Sequence, residues 1–333
     1  MKKTLALVLA LTLMLGTGLV SAAAEASGFR FGLDVNTKIA SSKDAEDANG
    51  VAQVDAVIVA VLLDDQGKIA DVFVDSAQTK MPFTATGTLG DNFPAEPKTK
   101  LELGTEYGMS AVSKVGEWDQ QIAAFEAYVI GKTADEVAGI AVDDATKPTG
   151  ADLTAGCTMS IGDYIAGVVA AAQKAVPVTA TATDKVGVGT VTTTGKSKDA
   201  MDGADGLAQA YSTYAAVLVG ADGKILACLI DSTQGNVNFD ATGKITSDLS
   251  ARIATKQELG DAYGMRAASP IGKEWFEQAN AFAAYVIGKT AAEVDGIALD
   301  ESTKPTDADL VASVTISAGG LKASVLKGVA NAK

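Results

Sequence analysis

The chain carries one domain twice. Tyr-Val-Ile-Gly-Lys-Thr-Ala stands at Tyr128–Ala134 and again at Tyr285–Ala291. Thr-Lys-Pro-Thr recurs at Thr146–Thr149 and Thr303–Thr306, and Tyr-Gly-Met at Tyr107–Met109 and Tyr263–Met265. The offset is 156 residues between Tyr107 and Tyr263 and 157 between Tyr128 and Tyr285, so the copies align almost without gaps. A repeat of that length is a whole domain rather than a solenoid unit. Every residue therefore has an internal counterpart. The copies run from 28 to 175 and from 184 to 333. Between them lies a short uncharged β-branched segment, 176–183, which reads as an extended linker or as the first strand of the second copy.

Each copy shows the same order of local signals. A first strand is expected at Ala56–Leu63, matched by Tyr214–Val219. A tight turn follows, ending in Gly67 or Gly223, where positive φ is required. The second strand, Lys68–Asp75 or Lys224–Asp231, has apolar alternate positions Ala70, Val72 and Val74, which predicts one buried face. After a polar loop, Trp118, Ile122, Phe125 and Val129 share a helical face, as do Trp275, Ala279, Phe282 and Val286. Gly131 and Gly288 are suited to ending that helix. Thr133 with Glu136 and Thr290 with Glu293 read as capping boxes for a second short helix. A final amphipathic helix is expected at Ile161–Ala175 and Gly320–Ala332. The fold class is α+β: two tandem copies of a small sheet, built on a β-hairpin, with helices packed on one face.

Composition narrows the function. Residues 1–22 read as a signal peptide, with Lys2 and Lys3, an apolar run from Leu5 to Leu19, and the small-residue site Val20-Ser21-Ala22. No later apolar stretch is long enough to cross a bilayer, so the expected location is secreted or in the cell envelope, outside the cytoplasmic membrane. Net charge is −14, and −16 without Lys2 and Lys3, which disfavours nucleic acid and anionic lipid as partners. There is no histidine, which removes Ser-His-Asp and Cys-His nucleophile machinery and the usual zinc and haem sites that need a His ligand. Redox or transfer chemistry would then fall to an organic cofactor. The two cysteines, Cys157 and Cys228, align with Val314 and Val72. They read either as a disulfide or, in preference, as two small buried apolar residues.

The lead into the last helix carries the chemistry. Asp152-Leu153-Thr154-Ala155-Gly156-Cys157-Thr158-Met159-Ser160 and Asp309-Leu310-Val311-Ala312-Ser313-Val314-Thr315-Ile316-Ser317 share Asp-Leu-x-Ala-x-x-Thr-x-Ser. Small residues and hydroxyls before a helix N-terminus can offer free amides to an anion. With Gly67-Lys68-Ile69 and Gly223-Lys224-Ile225 in the hairpin, this motif resembles the FMN-binding domain family. Members occur in sodium-pumping NADH:quinone reductases, Rnf-type complexes and secreted Gram-positive flavoproteins. The family motif is Asp-x-x-Ser/Thr-Gly-Ala-Thr, whose last Thr can carry FMN by a phosphoester bond. The resemblance places Thr158 and Thr315 at that position. Ala155 and Ala312 stand where the motif has Ser or Thr, Cys157 and Val314 where it has Ala, and Ser313 replaces its Gly. These departures argue against covalent attachment and leave non-covalent FMN or a domain that has lost the flavin.

The cofactor-binding candidates are Thr158, Thr315, Asp152, Asp309, Gly156, Ser160, Ser317, Lys100, Lys256, Tyr107 and Tyr263. Each has a plainer reading. Ser160 and Ser317 would serve as helix N-caps, Asp152 and Asp309 as caps of their own loop, and Lys100 and Lys256 as solvated surface lysines. Tyr107, Tyr263, Met109 and Met265 would cap the core, to which Trp118 and Trp275 belong. The resemblance implies an extracytoplasmic FMN-binding protein, a flavin-mediated electron carrier with a membrane-bound or extracellular redox partner rather than a stand-alone enzyme. The alternative is a secreted cofactor-free binding or structural module. A hydrolase would need converging carboxylates, and Asp75 with Asp231, or Asp152 with Asp309, are only counterparts between copies.

Overall fold

A computed structural model describes residues 28–333; the proposed signal peptide lies outside them. The first copy is a three-strand antiparallel meander, β1 (Arg30–Lys38), β2 (Gly50–Leu63) and β3 (Ile69–Phe83). Its helices are α1 (Lys100–Leu103), α2 (Trp118–Val129), α3 (Ala134–Ala138), α4 (Ala151–Thr154) and α5 (Gly162–Lys174). A two-residue strand β4 (Val176–Pro177) closes the far edge by pairing with Phe31 and Arg30 of β1. The second copy repeats the plan with β5 (Lys185–Thr193), β6 (Gly206–Val219) and β7 (Ile225–Phe239). Its helices are α6 (Lys256–Leu259), α7 (Trp275–Val286), α8 (Ala291–Asp295), α9 (Ala308–Val311) and α10 (Gly319–Asn331). The protein is α+β with two sheet units.

Several local expectations hold. Thr133 and Thr290 accept the amides of Glu136 and Glu293 in complete capping boxes. Gly67, Gly131, Gly223 and Gly288 all take positive φ. Trp118 and Trp275 are buried on the inner faces of α2 and α7. Cys157 and Cys228 are free buried thiols in two separate cores, under the helices of the first and second copy respectively.

The strands differ from the expectation in extent and facing. β2 is preceded by β1, a strand outside the expected hairpin, and β3 runs on to Phe83 through what reads as polar loop. Segment 176–183 begins as β4, in the first copy's sheet rather than the second's. Ala70 does not share a face with Val72 and Val74. A β-bulge shifts the register at Leu62/Leu63, so Ile69, Val72 and Val74 face the helices while Ala70 and Phe73 face away. An extra residue on one strand reverses the alternation that a period-two reading assumes.

The face away from the helices is buried against the other copy. Phe31, Ile58, Leu62 and Phe73 pack with Val186, Val188, Tyr214 and Leu218 in one shared core. A second shared cluster is centred on Phe83 and Phe239, counterparts whose rings stack at 4.4 Å. The molecule thus has four layers, helices–sheet–sheet–helices. Reciprocal bonds mark a pseudo-twofold relation. The Ala45 amide donates to Gly243 O and the Ala200 amide to Gly87 O. Leu89 N donates to Asp199, and Ile245 N to Asp44. This is the pattern of an isologous dimer interface placed within one chain. It explains why β2 is apolar on both faces from Ile58 to Leu63: one face meets helices and the other meets a sheet.

Candidate functional site

Two glutamines organise the turn that carries the sequence motif. In the first copy the Gln121 carbonyl accepts the Thr158 amide at 3.0 Å, while its amide nitrogen donates to Ser113 Oγ and Gly116 O, both at 3.0 Å. In the second, Gln278 Oε1 accepts the amides of Thr315 at 2.8 Å and Ile316 at 3.2 Å. Both glutamines are fully buried on α2 and α7. The amides that an anion would use are therefore engaged by a neutral carbonyl. Thr158 itself is exposed, and its hydroxyl lies 3.4 Å from the same Gln121 oxygen. Gln121→Leu is expected to lower stability by about 2–3 kcal/mol, because it strands the Thr158 amide and the Gly116 carbonyl together. Thermal unfolding measures this, and an unchanged midpoint would contradict it.

The remaining motif residues do other work. Ser160 does not cap α5; its N-cap is Ile161, which makes no side-chain cap. Ser160 Oγ instead bonds Thr146 Oγ1 at 2.5 Å and Ala145 O at 2.6 Å, and Ser317 bonds Thr303 in the same way. Thr146 and Thr303 have φ of 56° and 59°, a conformation costly for a β-branched residue. The hydroxyl pair and the bond from Ile161 N to Thr146 O hold that turn. Asp152 and Asp309 are exposed in the short helices α4 and α9. Neither caps its loop; in the second copy Asp307 accepts the amides of Asp309 and Leu310. Gly156 is a packing residue, since a Cβ there would stand 2.7 Å from Ala124 Cβ.

Lys100 and Lys256 are not solvated surface lysines. Lys100 is half-buried, with its ammonium 4.8 Å from the Tyr107 ring centre and 5.7 Å from that of Trp118. That ammonium makes no ion pair or hydrogen bond among the described residues. Lys256 is 4% exposed and lies over Tyr211, Tyr263 and Trp275, with its ammonium donating to the Tyr211 hydroxyl at 2.9 Å. Tyr107 and Tyr263 pack on their cores, as the plainer reading had it, and also form one wall of these cation cages.

Lys100 faces a cavity of about 650 Å³ in the first copy. Met109, Trp118, Met159 and Tyr164, on four separate segments, line it together with Ala40 and Val57. The Trp118 indole N–H donates to the Tyr164 hydroxyl at 3.0 Å, which fixes both rings. Asp55, bonded to Gln53 at 2.9 Å, and the Lys38–Asp163 ion pair at 2.6 Å also line the cavity. Thr146 and Ser160 complete the rim, so the motif turn borders the cavity although Thr158 does not line it. Glu117, at the start of α2, accepts the amides of Met109, Ser110 and Trp118, and Glu274 does the same for Met265, Arg266 and Trp275. These carboxylates set the position of the methionine and tyrosine wall.

Sequence reasoning missed Gln121, Gln278, Glu117, Glu274 and the strained threonines. The signal was present, for all six are kept in both copies. Asp55 and Tyr164 gave no such signal, because their counterparts are Tyr211 and Leu321. Among the described residues no cluster of His, Cys, Asp or Glu could hold a metal ion. Nor is any described helix long and apolar enough to cross a membrane.

No family model matches the chain, and no solved structure matches it. A 40-residue stretch is 60% identical to a chlorophenol reductase of Desulfitobacterium hafniense, covering 12% of this chain and 12% of that protein. The match thus spans about an eighth of either molecule.

Proposed function

We propose that the protein is an extracytoplasmic FMN-binding protein, a flavin-mediated electron carrier, and that its first copy holds the flavin. The observation that carries this reading is the cavity beside the motif turn. It pairs an aromatic and thioether lining with a lysine that has no anionic partner. Its volume lies in the range of cofactor sites. Lys100 would meet the ligand's anionic charge, and Trp118 and Tyr164 would pack on its ring. The bound flavin would supply the electron chemistry, which the side chains of this histidine-free protein do not provide. The redox partner would be membrane-bound or extracellular.

Titration of the mature chain with FMN tests the reading. Saturable binding at one site is expected, weakened about tenfold or more in Lys100→Ala through loss of a charge-assisted contact. A colourless protein that shows neither a thermal shift nor heat with millimolar FMN sinks the proposal. The second reading, a cofactor-free binding or structural module, is favoured by Gln121 and Gln278, which already hold the turn amides in both copies. It expects FMN to have no effect on either the Thr158 or the Lys100 region.

A further inference from the structure

The two copies build the same cage around the same lysine and complete it differently. In the second copy the cage is closed by Tyr211, whose ring centre lies 4.5 Å from the Lys256 ammonium and whose hydroxyl oxygen accepts from it at 2.9 Å. The strand register identifies the counterpart. Tyr211 opposes Thr193 and Gln234 in its sheet, and Asp55 opposes Lys38 and Gln78 in the other. In the first copy the Asp55 carboxylate is bonded to Gln53 at 2.9 Å, and Lys100 keeps only Tyr107 and Trp118. The cavity lies on this side of the sheet, lined by Asp55 and Lys100 together. Lys256 is almost fully buried by its tyrosine, whereas Lys100 is left half-open.

We propose that the first-copy cavity binds a ligand bearing a phenol-class group, an aromatic ring with an acidic or hydroxyl oxygen on it. That oxygen sits on the Lys100 ammonium, as the Tyr211 oxygen sits on Lys256. Tyr211 is the second copy's permanent internal occupant of the same site. The chemistry favours such a group over a bare hydrocarbon or a bare anion. A partly desolvated ammonium left without an acceptor carries a penalty that a phenol oxygen removes, and the ring adds contact with the aromatic wall. A neutral phenol has its own O–H to donate, and Asp55 offers an acceptor in the same cavity. The substitution of Tyr164 for Leu321 and Asp163 for Gly320 makes the open copy more polar, as a site for an oxygen-bearing ring requires. The inference rests on the first-copy cavity being a binding site and holds whether or not the ligand is a flavin.

Calorimetric titration of the mature full-length chain with 4-methylphenol, the tyrosine side chain as a free molecule, tests the proposal against toluene and FMN. One site per chain is expected, with toluene about tenfold or more weaker because it lacks the oxygen. Asp55→Tyr should abolish 4-methylphenol binding without lowering the unfolding temperature, since it installs the second copy's plug. Tyr211→Ala should raise the stoichiometry to two. No binding of 4-methylphenol to the wild type, equal affinity for toluene, or unchanged binding in Asp55→Tyr each overturns the inference. If 4-methylphenol binds and FMN does not, the flavin reading fails and this one stands. If FMN binds with Lys100 and 4-methylphenol does not bind, this inference fails and the flavin reading stands.

Discussion

Gly189→Ala is expected to lower the unfolding midpoint by about 5–10 °C or to prevent folding, at a cost of roughly 3 kcal/mol or more. A Cβ at Gly189 would lie 1.9 Å from the carbonyl oxygen of Ser324 and 2.5 Å from the Gly328 nitrogen. Both obstacles are main chain of α10, so no rotamer change relieves them. Gly187 meets the Gly328 oxygen at 2.1 Å, and Gly32 meets the Ala171 oxygen at 2.0 Å in the first copy. The helices therefore rest directly on the backbone of β5 and β1, and the absent side chains define that approach. Gly195→Ala is the control: it lies in an exposed turn, with only the Thr193 hydroxyl near, at 3.5 Å. It should change stability by less than about 0.5 kcal/mol. Equal midpoints for the two variants would refute the close-packing argument.

The second large effect is a fall in stability as pH rises from about 4 to about 7. Burial pushes the carboxyl of Asp75 up to about 7 against the Thr99 hydroxyl and the amides of Ser76 and Leu101. Burial likewise pushes Glu126 up to about 7, where the Val74 amide and Lys333 oppose it and the charges of Asp71 and Asp75 reinforce it. Asp231, in the second copy, is raised to about 6 by burial, opposed by Thr255, Gln257 and Ser232. In this window the folded protein keeps protons that the unfolded chain releases. The native state therefore binds more protons, and stability decreases with pH until the folded values are passed. Each of Asp75 and Glu126 contributes on the order of 3 kcal/mol across the range. Unfolding midpoints measured from pH 4.5 to 8 should fall, and Glu126→Gln should flatten the slope. A midpoint that rises with pH in both proteins would contradict the assignment. Glu126 satisfies the Val74 amide at 2.7 Å on the open edge of β3, a donor that no neighbouring strand takes up.

How far the sequence reaches can be seen residue by residue. The Thr133 and Thr290 capping boxes are legible because every atom involved lies within one turn of chain. The helix from Trp118 is legible because its stripe repeats at Trp275 with the same spacing. Ala70 is misplaced because a bulge depends on how β3 pairs with β2, and composition carries no mark of it. Ser160 reads as an N-cap because serine before a helix commonly is one. Its hydroxyl goes to Thr146, 14 residues earlier, because the left-handed Thr146 turn folds back onto it. Lys256 reads as solvated because lysine commonly is, yet the rings of Tyr211 and Trp275 from distant segments join Tyr263 to enclose it.

The sequence by itself determined the duplication, the α+β class, the long helices and the capping boxes at Thr133 and Thr290. All of these follow from spacing along one chain or from comparing its halves. Only the tertiary structure decided that the two sheets close on each other, with Phe83 stacked on Phe239. It also decided that one copy is open at Asp55 while the other is filled by Tyr211. The physical reason is that a cavity is the space left by side chains from β2, α1, α2 and α5 together. Its presence turns on which ring or carboxylate each segment brings to a point that no local pattern specifies.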